Sequence, residues 1–330
     1  MTDHRNILIY GELSERGLAS ITKELLNGGR RLADDLGEEL HVLFVGGSVA
    51  DPAREAFNFR VDKVYVKEDR CLERYEGDAH AQVLEQVVEK LRPRIVLFGN
   101  TEVGADLGPR FAFRVSKPIA TDCVALDVDR ETGRLLRTKP VYGGLAMTVL
   151  GSDGFPQVAT VRPKSISPAE KAGSGTGEPY AIDVDMTAVS PRVKALGRTT
   201  EETKGVRLED AEVIVSGGRG MGGPEGFKTL EEVSRLLNGS IGGSRVAVDN
   251  GWIPTSLQVG LTGTIVAPRV YIAVGISGAS QHMTGCARSQ RIIAINKDPA
   301  APIFKQAHFG VVGDWKAVLP TFLEKLKELG

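Results

Sequence analysis

The sequence predicts an α/β protein of two domains, and three observations carry that expectation. The chain has 330 residues, about twice a typical domain. Its first hundred residues alternate short apolar, β-rich runs with helical stretches. That alternation is the pattern of βαβ units and a parallel sheet, because parallel neighbours need a crossover. After a charged stretch at Arg198–Asp210 the same alternation begins again. The expected domains are residues 1–197 and 198–330.

In the first half, strands are expected at Ile7–Tyr10, Leu40–Val45, Lys63–Val66 and Ile95–Gly99. Helices are expected at Gly17–Leu36 and Ala79–Leu91, where Val83, Val87, Val88 and Leu91 recur at helical spacing. From Pro118 to Val161 the pattern shifts to shorter β segments, among them Asp122–Asp129 and Gly144–Leu150. The turn Arg130-Glu131-Thr132-Gly133 follows the first of these, which predicts an antiparallel extension of the sheet. Pro168–Pro179 is rich in Gly, Pro and Ser and reads as a loop or linker. In the second half, Val213-Ile214-Val215 is a strand that runs into the loop Gly217–Gly223. Pro224 then opens a helix to about Leu237, since proline is tolerated in a first turn. Further strands are expected at Arg245–Val248, Val270–Val274, Ile292–Ile295 and Gly310–Val312, with a closing helix at Lys316–Leu329. This half reads as a doubly wound domain.

Composition removes several function classes. With 41 Lys+Arg against 42 Asp+Glu the net charge is −1, and no basic face is available for nucleic acid. The longest apolar runs, such as Val270–Ile276, fall far short of the ~20 residues of a membrane span. Met1–Asn6 leads straight into Ile7–Tyr10, without a signal or transit pattern. The three cysteines (Cys71, Cys123 and Cys286) are too scattered for a disulfide framework, a zinc site or an iron–sulfur cluster. A cytoplasmic protein is expected. The five histidines lack metal-ligand spacing, so no metal is expected either.

The placement of the 39 glycines is more informative. Gly218-x-Gly220-x-x-Gly223 follows a strand and precedes a helix, as a dinucleotide fingerprint does. Glycines there admit a pyrophosphate to the backbone, and the helix N-terminus adds partial positive charge. The acid such a site wants about 20 residues on is not in place, because Asn238 holds that spacing and Asp249 comes late. A nicotinamide site, a structural turn and a site for another phosphate-bearing cofactor all remain readings of this loop. In Gly275-Ile276-Ser277-Gly278-Ala279-Ser280-Gln281-His282 a buried strand ends and a helix starts near Gly278 or Ala279. Gln281 and His282 then fall in the first turn, beyond the carboxyl end of a strand, where ligands of open α/β sheets collect. Taken alone, Gln258–Thr264, Ser244-Arg245 and Asn296-Lys297-Asp298-Pro299 are polar turns.

Taken together, these segments are not anonymous. Ser216-Gly-Gly-Arg219-Gly, Gly243-Ser-Arg245, Gln258-Val-Gly-x-Thr262-Gly, Gly275-Ile-Ser277-Gly-Ala-x-Gln281-His282 and Ala294-Ile-Asn296-Lys-Asp298-Pro occur in order. Ala301-Pro-Ile-Phe304 and Gly310-x-x-x-Asp314 follow them. This series resembles the FAD-binding domain of electron transfer flavoprotein alpha subunits, from Val213 to the C-terminus. In the first half, Gly104-Ala105-Asp106-Leu107-x-Pro109-Arg110, Thr121-Asp122-Cys123 and Arg137-x-x-Pro140-x-x-Gly143-Gly144 look like the same subunit's first domain. The resemblance implies an adenine nucleotide hydrolase-like parallel sheet with an antiparallel extension, followed by a doubly wound FAD-binding domain.

It also implies a heterodimer with a beta subunit of related fold, which would carry AMP or a second FAD. The alpha subunit would bind one FAD noncovalently. It would relay electrons from flavin dehydrogenases of the acyl-CoA dehydrogenase type to an acceptor of the quinone oxidoreductase type, or take part in a variant that bifurcates electrons from NADH. No catalytic residue is implied, since such a carrier makes no substrate bonds. By position, Arg245 would lie against the isoalloxazine, Thr262 near its N5, His282 at its O2 edge and Gln281 at the ribityl chain. Ser244 and Ser277 would hold the pyrophosphate side, Arg219 would line the site, and Asn296 and Asp314 would meet the adenosine end. Gln258, Val259, Gly260, Leu261, Gly275, Gly278, Ala279 and Ser280 complete the implied contact set. A permanent cation such as Arg245 and a donor such as His282 favour a ring that gains negative charge on reduction.

The family loop carries a glutamine before Thr262 and a basic residue after Gly263, where this chain has Leu261 and Thr264. Cys286 follows the His282 turn and reads as a packed small side chain, with a redox role as the alternative. One rival reading is a NAD-dependent Rossmann oxidoreductase using Gly218–Gly223. Another is a nucleotide sensor or scaffold binding AMP or ATP in the first half. The missing glycine-rich phosphate loop after Ile7–Tyr10 counts against the second.

Overall fold

The computed structural model describes residues 4–14, 17–142, 146–173, 175–190, 193 and 206–329. The Gly143-Gly144 pair and the boundary at 197/198 lie outside the described residues. The chain divides into two compact units, Met1–Thr199 and Thr200–Gly330.

The first unit is built on a seven-stranded, all-parallel sheet. Its order is Tyr180–Ala181, Lys63–Glu68, Leu40–Gly46, Ile7–Tyr10, Ile95–Gly99, Gln157–Val161 and Ile119–Cys123. Such strands are apolar on both faces because helices cover both. Successive residues accordingly feed opposite cores: Ile7, Ile9, Ile95 and Leu97 enter one cluster, Leu8, Tyr10, Val96 and Phe98 the other. Several sequence expectations need correction here. The helix expected from Gly17 begins at Ser20, because Gly17–Leu18 pairs with Leu13–Ser14 as a short antiparallel ribbon. The single strand expected at Asp122–Asp129 is two, Ile119–Cys123 and Ala125–Asp129, in different sheets. The antiparallel strands Ala125–Asp129, Arg134–Val141 and Ala146–Leu150 form a sheet of their own rather than extending the parallel one. The described residues of Pro168–Pro179 form a loop, where Ala172 N–H donates to Asn58 O, and Tyr180–Ala181 then adds an edge strand. Two of the quoted motif residues are tied into the unit by their side chains. Arg137 is buried and donates to the carbonyls of Leu150 and Val158 and to Ser152 Oγ, while Asp122 pairs with Arg162.

The second unit is a five-stranded parallel sheet in the order Ser240–Gly243, Val213–Gly217, Val270–Val274, Arg291–Asn296, Phe309–Val312. In chain order this is 2-1-3-4-5, so the winding direction reverses between Val213–Gly217 and Val270–Val274. Ile214, Tyr271 and Ala273 pack on one face, Val215, Ile272 and Val274 on the other. The strand expected at Arg245–Val248 is a helix, Arg245–Asp249, and the strand lies before it at Ser240–Gly243.

Candidate functional site

Open α/β sheets bind ligands at the reversal point, beyond the carboxyl ends of the strands. Here two glycine loops meet at that point. Gly218 N–H donates to Val274 O and Gly220 N–H to Gly275 O, both at 2.9 Å. A Cβ on Gly218 would overlap the Gly275 carbonyl, and one on Gly220 would stand 2.8 Å from Gly275 Cα. Gly275 itself has a φ of 62°, in the left-handed region that favours glycine. The loops thus lie backbone against backbone. This accounts for Gly218 and Gly220 of the fingerprint, whose N–H groups are committed to the Val274 and Gly275 carbonyls.

The third loop closes over the same point. Val259 N–H donates to Gly243 O at 2.9 Å and Leu261 N–H to Gln281 O at 2.8 Å. That seats residues 258–264 on the helix Ser280–Cys286. Between the loops lies a cavity of about 710 Å³, within the usual range of ligand sites, ~300–1,000 Å³. Its walls bring together Arg219, Ser244 and Arg245; Gln258, Val259, Gly260, Leu261 and Thr262; and Gly275, Ser277, Ala279, Gln281, His282 and Asn296. Gly278 and Ser280 belong to the same loop and first turn but do not line the cavity. Gly278, with φ 86°, is packed against Ile303. Asp314 lines a smaller cavity of about 230 Å³ that shares Gly220, Gly275, Asn296 and Lys297 with the larger one.

The wall also includes Gly220 of the fingerprint, together with Val246, Ile276, Lys297, Asp298, Ala301 and Pro302, which sequence reasoning did not assign. Lys297 and Asp298 stand inside a quoted motif and could have been found there. The apolar ones carry no chemical signal.

The wall's charges are Arg219, Arg245 and Lys297 against Asp298, a balance suited to an anionic ligand. Arg245 opens its helix and stands 3.5 Å from Asp249 in an exposed pair. Such pairs hold weakly, so the guanidinium can turn to a ligand. Thr262 Oγ1 accepts from Gln258 Nε2 at 3.0 Å, which leaves the Thr262 hydroxyl proton available to donate. Asn296 is engaged at both ends of its amide: Nδ2 donates to Ile276 O at 2.9 Å and Oδ1 accepts from Asp298 N–H at 3.0 Å. Asp314 Oδ1 accepts from Lys316 N–H at 2.9 Å, capping the closing helix Trp315–Leu329. His282 is buried in the first turn, with Nε2 3.0 Å from the Tyr271 hydroxyl. Its ring also lies in hydrogen-bonding reach of the Val259 backbone. Burial pushes its pKa down to about 4, with the Val259 backbone pulling weakly the other way, so the imidazole is neutral at physiological pH. Cys286 is buried too and points at the His282 carbonyl, and burial pushes its thiol up to about 12. A reactive thiolate is thereby disfavoured.

Comparison with known proteins covers both units. The Electron transfer flavoprotein domain profile matches residues 7–186, and the Electron transfer flavoprotein FAD-binding domain profile matches 207–287. The chain is 40% identical over 330 residues to the electron transfer flavoprotein subunit alpha of Thermoanaerobacterium thermosaccharolyticum, covering 100% of both. The chain belongs to the electron transfer flavoprotein alpha-subunit family. Within that family it is 39% identical to the Bacillus subtilis subunit alpha, covering 98% of each chain. It is also 36% identical to the acryloyl-CoA reductase electron transfer subunit beta of Anaerotignum propionicum, over 98% of this chain and 96% of that one. The family's two-domain α/β architecture agrees with the two parallel sheets. Among the described residues, no helix is long and apolar enough to cross a membrane, and no cluster of three or more His, Cys, Asp or Glu is placed to hold a metal.

Proposed function

We propose that this chain binds one FAD noncovalently in the 710 Å³ cavity and works as the alpha subunit of a cytoplasmic, heterodimeric electron carrier. Its electrons would come from flavin dehydrogenases of the acyl-CoA dehydrogenase type and pass to an acceptor of the quinone oxidoreductase type. The beta subunit would carry AMP or a second FAD. The observation that carries the reading is the cavity wall itself. It combines three cations, a hydroxyl with a free proton at Thr262, and a buried, neutral imidazole at His282. Those residues fit a flavin dinucleotide, whose ring has acceptors along one edge and whose middle is a diphosphate.

When bound, the flavin supplies the redox chemistry. The chain's residues bind and tune it. Arg245 places a permanent positive charge beside the ring, Thr262 can donate to a ring nitrogen, and His282 can donate to a ring oxygen without carrying charge of its own. Arg219 and Lys297, with Ser244 and Ser277, favour the diphosphate, while Gln281 faces the linking chain. Asn296 and Asp314 stand where the two cavities meet and continue, as an adenosine end requires. The partner surface is proposed on the first unit, where Met147 and Val149 of the strand Ala146–Leu150 are 58% and 57% exposed.

The test is co-expression with an electron transfer flavoprotein beta subunit, followed by the visible spectrum during stepwise dithionite reduction. Flavin bands that bleach reversibly, with a stoichiometry of one FAD in this chain, support the reading. A colourless complex that takes up no added FAD rejects it.

A further inference from the structure

The loop of residues 258–264 satisfies much of its own backbone. Gln258 N–H donates to Thr255 O at 3.0 Å, and Gln258 O accepts from Thr264 N–H at 2.7 Å. Gly263 N–H donates to Gly260 O at 3.1 Å and Gly260 N–H to Thr264 O at 3.3 Å. The chain closes so tightly on Gln258 that a Cβ on Gly263 would stand 2.4 Å from the Gln258 carbonyl oxygen and 2.8 Å from its Cγ. The two polar side chains of the loop therefore meet different surroundings. Gln258 is only 6% exposed, whereas Thr262 is exposed on the cavity wall.

A side-chain amide buried to that degree needs a partner, and Gln258 Nε2 has one in Thr262 Oγ1 at 3.0 Å. A hydroxyl has one proton to give and accepts through its oxygen. Since Gln258 supplies the proton of this bond, Thr262 accepts, and its own proton points away from Gln258. Without the amide, the hydroxyl would be free to turn back and donate to a loop carbonyl, as threonine side chains readily do. We infer that Gln258 is a positioning residue for Thr262: its buried amide occupies the Thr262 oxygen, so that the hydroxyl proton is offered to an acceptor in the cavity. That the acceptor belongs to a flavin rests on the function proposed above. The bond that sets the hydroxyl does not.

The experiment uses the full chain, ¹⁵N-labelled at glutamine side chains, with the Gln258 amide signals assigned by their absence from Gln258→Glu, which keeps the side chain's shape. One Gln258 Nε2 proton is expected to resonate downfield of a free glutamine in wild type and to move upfield in Thr262→Val. In the FAD-loaded complex, Thr262→Val should weaken FAD binding by about fivefold, the size of one neutral hydrogen bond. Gln258→Met keeps the side chain's length but has no N–H. It should weaken FAD binding about twofold in the wild-type background, the lower end for such a bond. In the Thr262→Val background, where no hydroxyl remains to be positioned, it should change nothing. A glutamine that only props the loop, or that touches the ligand itself, would act equally in both backgrounds. Equal factors in the two backgrounds, or a Gln258 amide signal indifferent to Thr262→Val, overturn the inference. An amide signal that responds to Thr262→Val in a chain that takes up no FAD instead overturns the functional reading and leaves the role of Gln258 standing.

Discussion

Both units reverse the winding of a parallel sheet, and the two reversals are finished differently. In the first unit the reversal falls between Ile7–Tyr10 and Ile95–Gly99, and the space beyond the strand ends is taken by the protein itself. Glu12 turns its carboxylate to Thr101 Oγ1, at 2.8 and 3.0 Å, and its own N–H donates to Thr22 Oγ1 at 2.8 Å. The helix Glu102–Arg114 sits so close that a Cβ on Gly104 would overlap the Gly99 carbonyl. Beside them Thr160 Oγ1 donates to Asn100 Oδ1 at 2.8 Å, and Asp122 is paired with Arg162. In the second unit the equivalent position is walled by glycine loops that pack on each other and leave a cavity. Topology supplies the crevice. Whether it becomes a site depends on which side chains are aimed into it.

The largest effects should come from the close-packed glycines. Gly220→Val would drive a branched side chain into the Gly275 backbone, at a cost of about 1–3 kcal/mol or more, and FAD content should fall to near zero. Gly104→Val should destabilise the first unit at least as strongly while leaving the second unit's affinity for added FAD intact. Both tryptophans of the chain, Trp252 and Trp315, lie in the second unit, so their fluorescence follows its unfolding alone. Full flavin content in Gly220→Val would mean that loop contact does not shape the site.

Next come opposite responses to pH. Burial raises Glu12 from an ordinary 4.5 to about 7, against the Thr101 hydrogen bond. Between those values the unfolded chain is ionised while the folded one keeps its proton, so the first unit loses stability as pH rises from 4.5 through 7. Burial lowers His282 from 6.5 to about 4. In that window the unfolded chain takes up a proton that the folded one refuses, so the second unit loses stability as pH falls. Each effect is on the order of 3 kcal/mol. Glu12→Gln should flatten the first trend, as followed by circular dichroism, and leave the acid-side loss in tryptophan fluorescence unchanged. Parallel trends in the two signals would sink the contrast.

A smaller effect is electrostatic. Arg245→Ala removes the permanent cation from the wall. One charge-assisted hydrogen bond is worth roughly 1.5–3 kcal/mol, so the flavin potential should move negative by on the order of 60–130 mV. Redox titration of the FAD-loaded complex checks this, and an unchanged potential would place the guanidinium away from the ring.

How much of this could be read from sequence also differs between the units. Buried parallel strands such as Ile95–Gly99 and Val270–Val274 are continuous apolar runs and were legible at once. Arg245–Val248 misled because Val246 and Val248 alternate like a strand, whereas the true strand Ser240-Ile-Gly-Gly has almost no side chain to betray it. The helix Glu102–Arg114 is disguised by Gly104, Gly108 and Pro109, and the first was chosen for close approach rather than for helix propensity. In the site, hydroxyls, cations and glycines showed through as motifs. Val246, Ile276 and Ala301 line the cavity only because of where the backbone goes, and periodicity gives no warning of that. Tyr271 looked like one more residue of a β run, since nothing local ties it to a histidine eleven positions on.

The smallest expected effect separates two roles for Asp314. Its carboxylate caps the closing helix through Lys316 N–H, and it also lines the smaller cavity. Replacing it with alanine removes the cap, at about 1 kcal/mol, and Asp314→Asn restores most of that because asparagine caps as well. Capping alone would lower the unfolding midpoint in the alanine variant and leave the ratio of FAD to riboflavin affinity untouched. Contact with the adenosine end would lower that ratio in both variants, since riboflavin has no adenosine to lose. The asparagine variant decides the matter, because its helix is intact. A ratio equal to wild type there would confine Asp314 to the helix and end the adenosine-side cavity at Asn296, whose amide is already committed to Ile276 and Asp298.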